Sequence, residues 1–189
     1  MLRHLGMACA LVCMALPAYA QAQERGVQRG MTVELGGGFA YTEFNASGWP
    51  NTHGVYGSIA VNVTPWLQVY LDGAEQWGSL FDGNTRLYGD HIGARYYYRP
   101  RYEIFNPFAE GLVGISRLDL NLPQAMQKYS EDGFSFKVGG GLDLVINRHW
   151  SVRAFDADYY RTPFFQTHQN NLWISAGVVF KFGEGRYPH

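Results

Sequence analysis

Leu172-Trp173-Ile174-Ser175-Ala176-Gly177-Val178-Val179-Phe180-Lys181-Phe182 alternates apolar with small or polar residues and closes on an aromatic. One face of such a strand suits lipid, and the other suits the inside of a barrel. The same period of two recurs upstream, and it predicts strands at Met31 to Phe44, Gly54 to Val63, Leu67 to Trp77, Arg86 to Tyr98, Asn106 to Leu118, Phe134 to Ile146 and Trp150 to Arg161. With Leu172 to Phe182 that makes eight. The apolar parities, such as Val33, Leu35, Phe39 and Tyr41 or Val55, Ile59, Val61 and Val63, oppose small and polar residues throughout.

The chain opens with Arg3, an apolar run from Leu5 to Leu16, and Pro17-Ala18-Tyr19-Ala20. This is the layout of a secretory leader cut after Ala20. The expected organisation is a signal peptide at 1–20, an N-terminal periplasmic segment at 21–30, a barrel at 31–182 and a short periplasmic tail at 183–189. Both cysteines, Cys9 and Cys13, fall in the leader, so the mature chain is expected to be thiol-free, without disulfide, Cys-metal site or lipid anchor. After Ala20 no apolar run approaches the ~18 residues of a membrane helix, so any span has to be made of strands.

A length of 189 residues suits one compact barrel and is too short for sixteen strands of ~10 residues with loops. A net charge of −1 argues against a nucleic-acid surface. The composition, 16% aromatic and 16% charged with 23 Gly, favours strands and close packing. The expected fold is therefore all-β: an eight-stranded antiparallel transmembrane β-barrel with short periplasmic turns and longer extracellular loops, in the bacterial outer membrane. Thr64-Pro65-Trp66, Arg99 to Glu103 and Asn147-Arg148-His149 read as the tight turns. Asn45 to Thr52, Gly78 to Asn84, Asp119 to Asp132 and Thr162 to Asn170 read as the longer loops. An even strand number then puts both termini in the periplasm. Aromatic belts are expected from Trp66, Tyr96, Tyr98, Tyr102, Trp150, Phe180 and Phe182 at the turn end, and from Phe44, Trp77, Tyr88, Tyr159 and Tyr160 at the loop end.

If the apolar parities face lipid, Glu34, Asp72, Glu110 and Asp143 point inward with Arg95, Lys137, Lys181 and Arg153. An eight-stranded interior is only wide enough for side chains to fill it, so these groups are expected to form a plug of ion pairs. Inward glycines at Gly36, Gly38, Gly89, Gly93, Gly139 and Gly141 would leave room for the long cations. Strand seven breaks the pattern, because Arg153 has the opposite parity to Asp156 and Asp158. Either a bulge between Arg153 and Asp156 brings all three inside, or one charged set sits near a rim.

No catalytic, cofactor or metal site is expected. His149-Trp150-Ser151 has the His-x-Ser spacing of lipid A deacylases, but it falls in a periplasmic turn with no suitable acid after it. His53, His91 and His168 form no metal-ligand spacing. The glycine runs at 36–38 and 139–141 lie inside strands and open no helix, so they are no phosphate loop.

Asn106-Pro107-Phe108-Ala109-Glu110, Gly139-Gly140-Gly141-Leu142-Asp143, Arg153 to Thr162 and Ser175 to Phe182 together resemble the OmpA-like small outer-membrane β-barrel family. The resemblance covers the whole mature sequence. It implies that Phe180 and Phe182, in the aromatic-ending last strand, are the signal read by the barrel-assembly machinery, although Gly183 to His189 extend beyond the usual stop. The peptidoglycan-binding domain of full OmpA proteins is not expected here, so tethering to the cell wall is not implied. Expected partners are outer-membrane lipid and lipopolysaccharide, and the assembly machinery during biogenesis, with no nucleic acid and a monomeric state. The function expected is non-enzymatic, structural or surface-interacting. The alternatives are a narrow channel for small solutes or ions and, further off, a lipid A-modifying enzyme; a soluble lipocalin-like barrel would reverse the apolar and charged faces.

Overall fold

The structure, a computed structural model, describes residues 32–45, 51–64, 66–80, 83–98, 104–122, 127–164 and 169–182. The leader with its Ala20 cut, the 21–30 segment, the 183–189 tail, Tyr102 and His168 lie outside the described residues. Eight strands, β1 (Val33–Phe44), β2 (Thr52–Asn62), β3 (Leu67–Leu80), β4 (Gly83–Tyr97), β5 (Phe105–Leu122), β6 (Gln127–Val145), β7 (Trp150–Thr162) and β8 (Gln169–Phe182), pair antiparallel in chain order and close into a barrel. The closing ladder joins β1 to β8 from Val33↔Phe182 to Phe44↔Asn171. It leaves neither first nor last strand with an open edge, as a backbone in lipid requires.

Alternation sets the faces. Leu35, Phe39, Ile59, Val69, Ile92, Val113, Val138 and Val178 lie on the outer surface, while their neighbours in sequence turn inward. On β5 the outward apolar face runs from Phe105 to Ile115. Ten residue steps at ~3.3 Å, tilted by ~40°, span about 25 Å, the height of an outer-membrane apolar band. Outward aromatics flank it: Trp66, Tyr96, Tyr98, Trp150 and Phe182 are exposed at the turn end, and Trp77 and Tyr159 at the loop end. Phe44 and Tyr160 are corrections to that belt, because both are buried inside the barrel.

Two of the expected loops are mostly strand. β5 continues to Leu122 and β6 starts at Gln127, so the stretch from Asp119 to Asp132 is largely a paired hairpin, in register from Arg117↔Asp132 to Leu122↔Gln127. Leu118 and Leu120 keep the inward parity there and are buried, and that alternation was present in the sequence. The Gly78 to Asn84 loop likewise narrows, because β3 and β4 pair up to Leu80↔Gly83.

The inward glycines make room for something other than long cations. A Cβ on Gly93 would collide with the Gly111 carbonyl of β5, and one on Gly139 with the Ala157 carbonyl and the Asp158 carboxylate. On Gly141 it would meet the Phe155 carbonyl and the Phe108 ring. Tight curvature of a small barrel brings neighbouring backbones close on the concave side, and a missing side chain relieves the crowding.

The parity problem in β7 is solved by a bulge. Opposite β6, Leu142 pairs with Phe155 and Asp143 with Arg153, so Ala154 is the extra residue. The β8 register shifts between Arg153 and Asp156 as well. Ala154 and Phe155 both face outward, and Arg153, Asp156 and Asp158 all turn inside. Deleting Ala154 removes the extra residue and leaves a regular strand in which Arg153, Phe155 and Asp156 alternate in, out and in, matching Asp143, Leu142 and Gly141 of β6 one for one. Refolded in detergent, that deletion is expected to keep the heat-modifiable folded band on gels, whereas deleting Ala157 from the regular part of the strand puts Asp156 and Asp158 on opposite faces and loses it; an Ala154 deletion that fails to fold, or an Ala157 deletion that folds like its parent, contradicts the role given to the bulge.

Candidate functional site

The interior is built in levels that follow the strand register. Nearest the loop end lies an apolar cluster of Phe44, Tyr56, Leu87, Leu118, Leu120, Tyr160, Phe164 and Trp173. Leu118 and Phe164 are 1% and 0% exposed, so the outer mouth is capped by packed hydrocarbon as well as by polar groups. Beside the cap, Gln76 Oε1 accepts hydrogen bonds from the Thr42 and Thr52 hydroxyls, at 2.7 Å each.

The next level sets Asp72, His91, Gly114 and Ser135 side by side across β3 to β6. Lys137 Nζ donates to Asp72 Oδ2 at 2.8 Å and lies 3.7 Å from the Trp173 ring centre. His91 Nδ1 is 3.1 Å from Asp72 Oδ1 and Nε2 is 2.9 Å from Ser135 Oγ. Ser116 donates to Ser135 at 2.7 Å and is also hydrogen-bonded to Tyr160. Ser135, His91 and Asp72 thus have the connectivity of a nucleophile, base and orienting acid. Their placement denies them that chemistry: Ser135 is wholly buried, its oxygen accepts from Ser116, and Lys137 holds the same aspartate. Sequence reading missed this set because its members come from three strands.

Below it, two guanidinium groups fill the waist. Arg95 faces Glu110 across β4 and β5 and donates from Nε at 2.6 Å, while its Nη2 reaches Asp156 at 3.4 Å. Its Cζ lies 3.7 Å from the Tyr70 ring centre and 4.1 Å from that of Phe108, a cation held between two π-faces. Arg153 faces Asp143 across β6 and β7, donating to its two oxygens at 3.0 and 3.4 Å and to the Tyr70 hydroxyl at 3.0 Å. Tyr97 donates to Asp143 Oδ2 at 2.7 Å. Such pairing offsets the several kcal/mol that desolvating each charge costs.

Glu110, Gly139 and Asp158 form one row across three strands, and the absent side chain of Gly139 lets the two carboxylates approach. With Asp156 they bring three carboxyl groups within 4.8 Å of one another, which is the set among the described residues able to offer oxygen ligands to a metal. Arg95 already engages two of the three. Nearer the periplasmic mouth, Asn62 donates to Glu34 at 3.3 Å, and Lys181 lies across from Glu34 in the β1–β8 register. No ion pair joins Glu34 to Lys181 among the described residues.

All eight charged residues singled out from the sequence are therefore inside: Glu34, Asp72, Arg95, Glu110, Lys137, Asp143, Arg153 and Lys181. The balance of four acids against four bases needs correction, because the bulge adds Asp156 and Asp158. His91 also belongs to the network. Phe180 and Phe182 lie at the opposite end of the chemistry, packed edge-to-face at 4.5 Å, with Trp150 against Phe180 at 4.7 Å.

Asp143→Ala leaves Arg153 and the Tyr97 hydroxyl without their acceptor in an enclosed site. It is expected to lower unfolding free energy in urea by ~3–5 kcal/mol, whereas the double variant Asp143→Leu/Arg153→Met costs less than the single one. Equal destabilisation by the two would show that the pair does not act as a unit.

Residues 7–182 match the model of the outer membrane protein beta-barrel domain. Neisserial surface protein A has a solved structure that superposes with a TM-score of 0.62 at 16% identity, over 80% of this chain and 97% of that one. Ail, the attachment invasion locus protein of Yersinia pestis, superposes at 0.54 with 13% identity, over 82% and 100%. Its complex with the heparin analogue sucrose octasulfate gives 0.53 at 15% identity, over 81% and 98%. At these identities the structural likeness speaks for the fold alone. No curated protein matches the chain. The closed eight-stranded wall and the family match over nearly its whole length agree, and the chain belongs to the outer membrane protein beta-barrel domain family, whose place is the bacterial outer membrane.

Proposed function

We propose that this protein is a non-enzymatic barrel of the outer membrane whose working surface is its wall and outer end, where it serves envelope structure or surface interaction. The observation that carries this reading is the closed waist. Side chains lining a water-filled passage would be exposed to water within it, yet Arg95, Lys137, Arg153, Tyr160 and Phe164 are buried to within 1%. The apolar cap above them adds a second closure, and a pore would have to break both.

Catalysis finds no support in the same geometry, because Ser135 and His91 face packed protein with no room for a lipid beside them. Neisserial surface protein A, a surface protein by its name, and Ail, named for attachment and invasion and solved with a heparin analogue, give the surface reading precedents of the same fold. Variation in the outer connections can alter contacts there without disturbing the scaffold.

Conductance of the refolded protein in planar bilayers tests this reading. Wild-type protein is expected to stay silent; discrete steps that change on Arg95→Ala or Glu110→Ala would replace it with the channel reading. Lipid A mass spectra are expected to be the same with the gene deleted or overexpressed, and a shifted acylation pattern would restore the enzyme.

A further inference from the structure

Pair by pair, the buried charges of the waist leave one carboxyl over. Asp72 is held by Lys137, Asp143 by Arg153 and Glu110 by Arg95, and Asp156 shares the two guanidinium groups at 3.4 and 3.8 Å. Asp158 forms no ion pair among the described residues, and it is 1% exposed. The missing side chain of Gly139 lets it approach Glu110, and with Asp156 the three carboxyl groups lie within 4.8 Å of one another.

A second observation comes from the facing wall. Tyr56 turns inward from β2, buried, with its hydroxyl close enough to Asp156, Arg95 and Arg153 to feel their charge, yet that hydroxyl has no hydrogen-bond partner. Arg95 Nη1, Asp156 Oδ1 and Asp158 Oδ1 are unpartnered as well. The other charges nearby are committed: Lys137 on β6 and His91 on β4 both turn to Asp72 of β3. Arg153 donates to Tyr70, and Tyr160 is hydrogen-bonded to Ser116. The rows of Asp156 and Asp158 continue through Ser175 and Trp173 of β8 to Ala40 and Thr42 of β1, none of them charged.

Three carboxylates drawn together in an enclosed site repel one another, and no bulk water weakens the repulsion. A metal ion suits the site poorly, because Arg95 already engages two of the three acids and a hard divalent cation takes about six oxygens. A proton removes one negative charge and turns an acceptor oxygen into a donor that a neighbouring carboxylate can use. We propose that Glu110, Asp156 and Asp158 bind a proton in common at neutral pH, seated chiefly on Asp158, and that its release at alkaline pH loosens the closed waist. The site lies in the lumen, so it stands or falls apart from any contact that the outer end of the barrel makes.

Infrared spectra of the protein refolded in an ester-free detergent, in heavy water, test the site. The carbonyl stretch of a protonated carboxylic acid is expected near pH 7, where free carboxyl groups are ionised, and is expected to vanish reversibly in alkaline buffer. Asp158→Asn is expected to lack it, and Glu34→Gln to keep it. Glu110→Gln takes away one repelling carboxylate, so the band is expected to disappear at lower pH than in the wild type. An unfolded carboxyl gives up its proton at about pH 4, so at neutral pH folding takes a proton up and stability falls as pH rises. Relative to Asp158→Asn, the wild-type folding equilibrium constant is expected to drop by up to about tenfold per pH unit until the band is gone. No acid band in the wild type near pH 7, a band that survives in folded Asp158→Asn, or an unshifted loss in Glu110→Gln overturns the shared proton. A band abolished by added Ca²⁺ at constant pH overturns it in favour of a metal.

Discussion

Ring closure between β1 and β8 is the constraint on which everything else depends. In hydrocarbon no water satisfies a backbone donor or acceptor, so the ladder from Val33↔Phe182 to Phe44↔Asn171 has to complete the circle of hydrogen bonds. Once eight strands are closed, the diameter is fixed and the interior is narrow. Every inward side chain must then be matched by the others, because no bulk solvent remains to absorb a misfit or a charge. The glycines show how tight the fit is: at Gly93, Gly139 and Gly141 even a methyl group would strike a neighbouring strand.

The charged interior follows from that narrowness. Arg95 and Arg153 are held by carboxylates, by Tyr70 and by aromatic faces, and Lys137 by Asp72 and Trp173. Six buried acids stand against four buried bases among the described residues, and the excess gathers where Gly139 lets Glu110 and Asp158 meet. The Ala154 bulge creates this imbalance, since it brings Arg153 and both aspartates to the same side. A one-residue irregularity in the wall therefore decides the composition of the core.

Period-two patterning made much of this legible. The faces of Glu34, Asp72, Arg95, Glu110, Lys137, Asp143 and Lys181 follow from parity alone, because an outward charge in the apolar band would be too costly. Strand ends were less legible. Leu118-Asp119-Leu120-Asn121-Leu122 continues the alternation, but polar residues beyond it resemble a loop until pairing with Gln127 to Glu131 is seen. Phe44 and Tyr160 show the limit of composition, because an aromatic near a strand end serves a lipid belt or an inner cap equally well.

By itself the sequence determined the strand number, the closed all-β wall, the lipid-facing set and the presence of charge inside, since each follows from alternation and from the cost of exposing polar backbone to lipid. Only the tertiary structure decided which acid meets which base, that Ser135 and His91 face each other in a sealed layer, that an apolar cap lies over the polar waist, and that Ala154 carries the bulge. Those outcomes depend on register across strands far apart in sequence. A shift of one residue there reverses a face and changes every partner behind it.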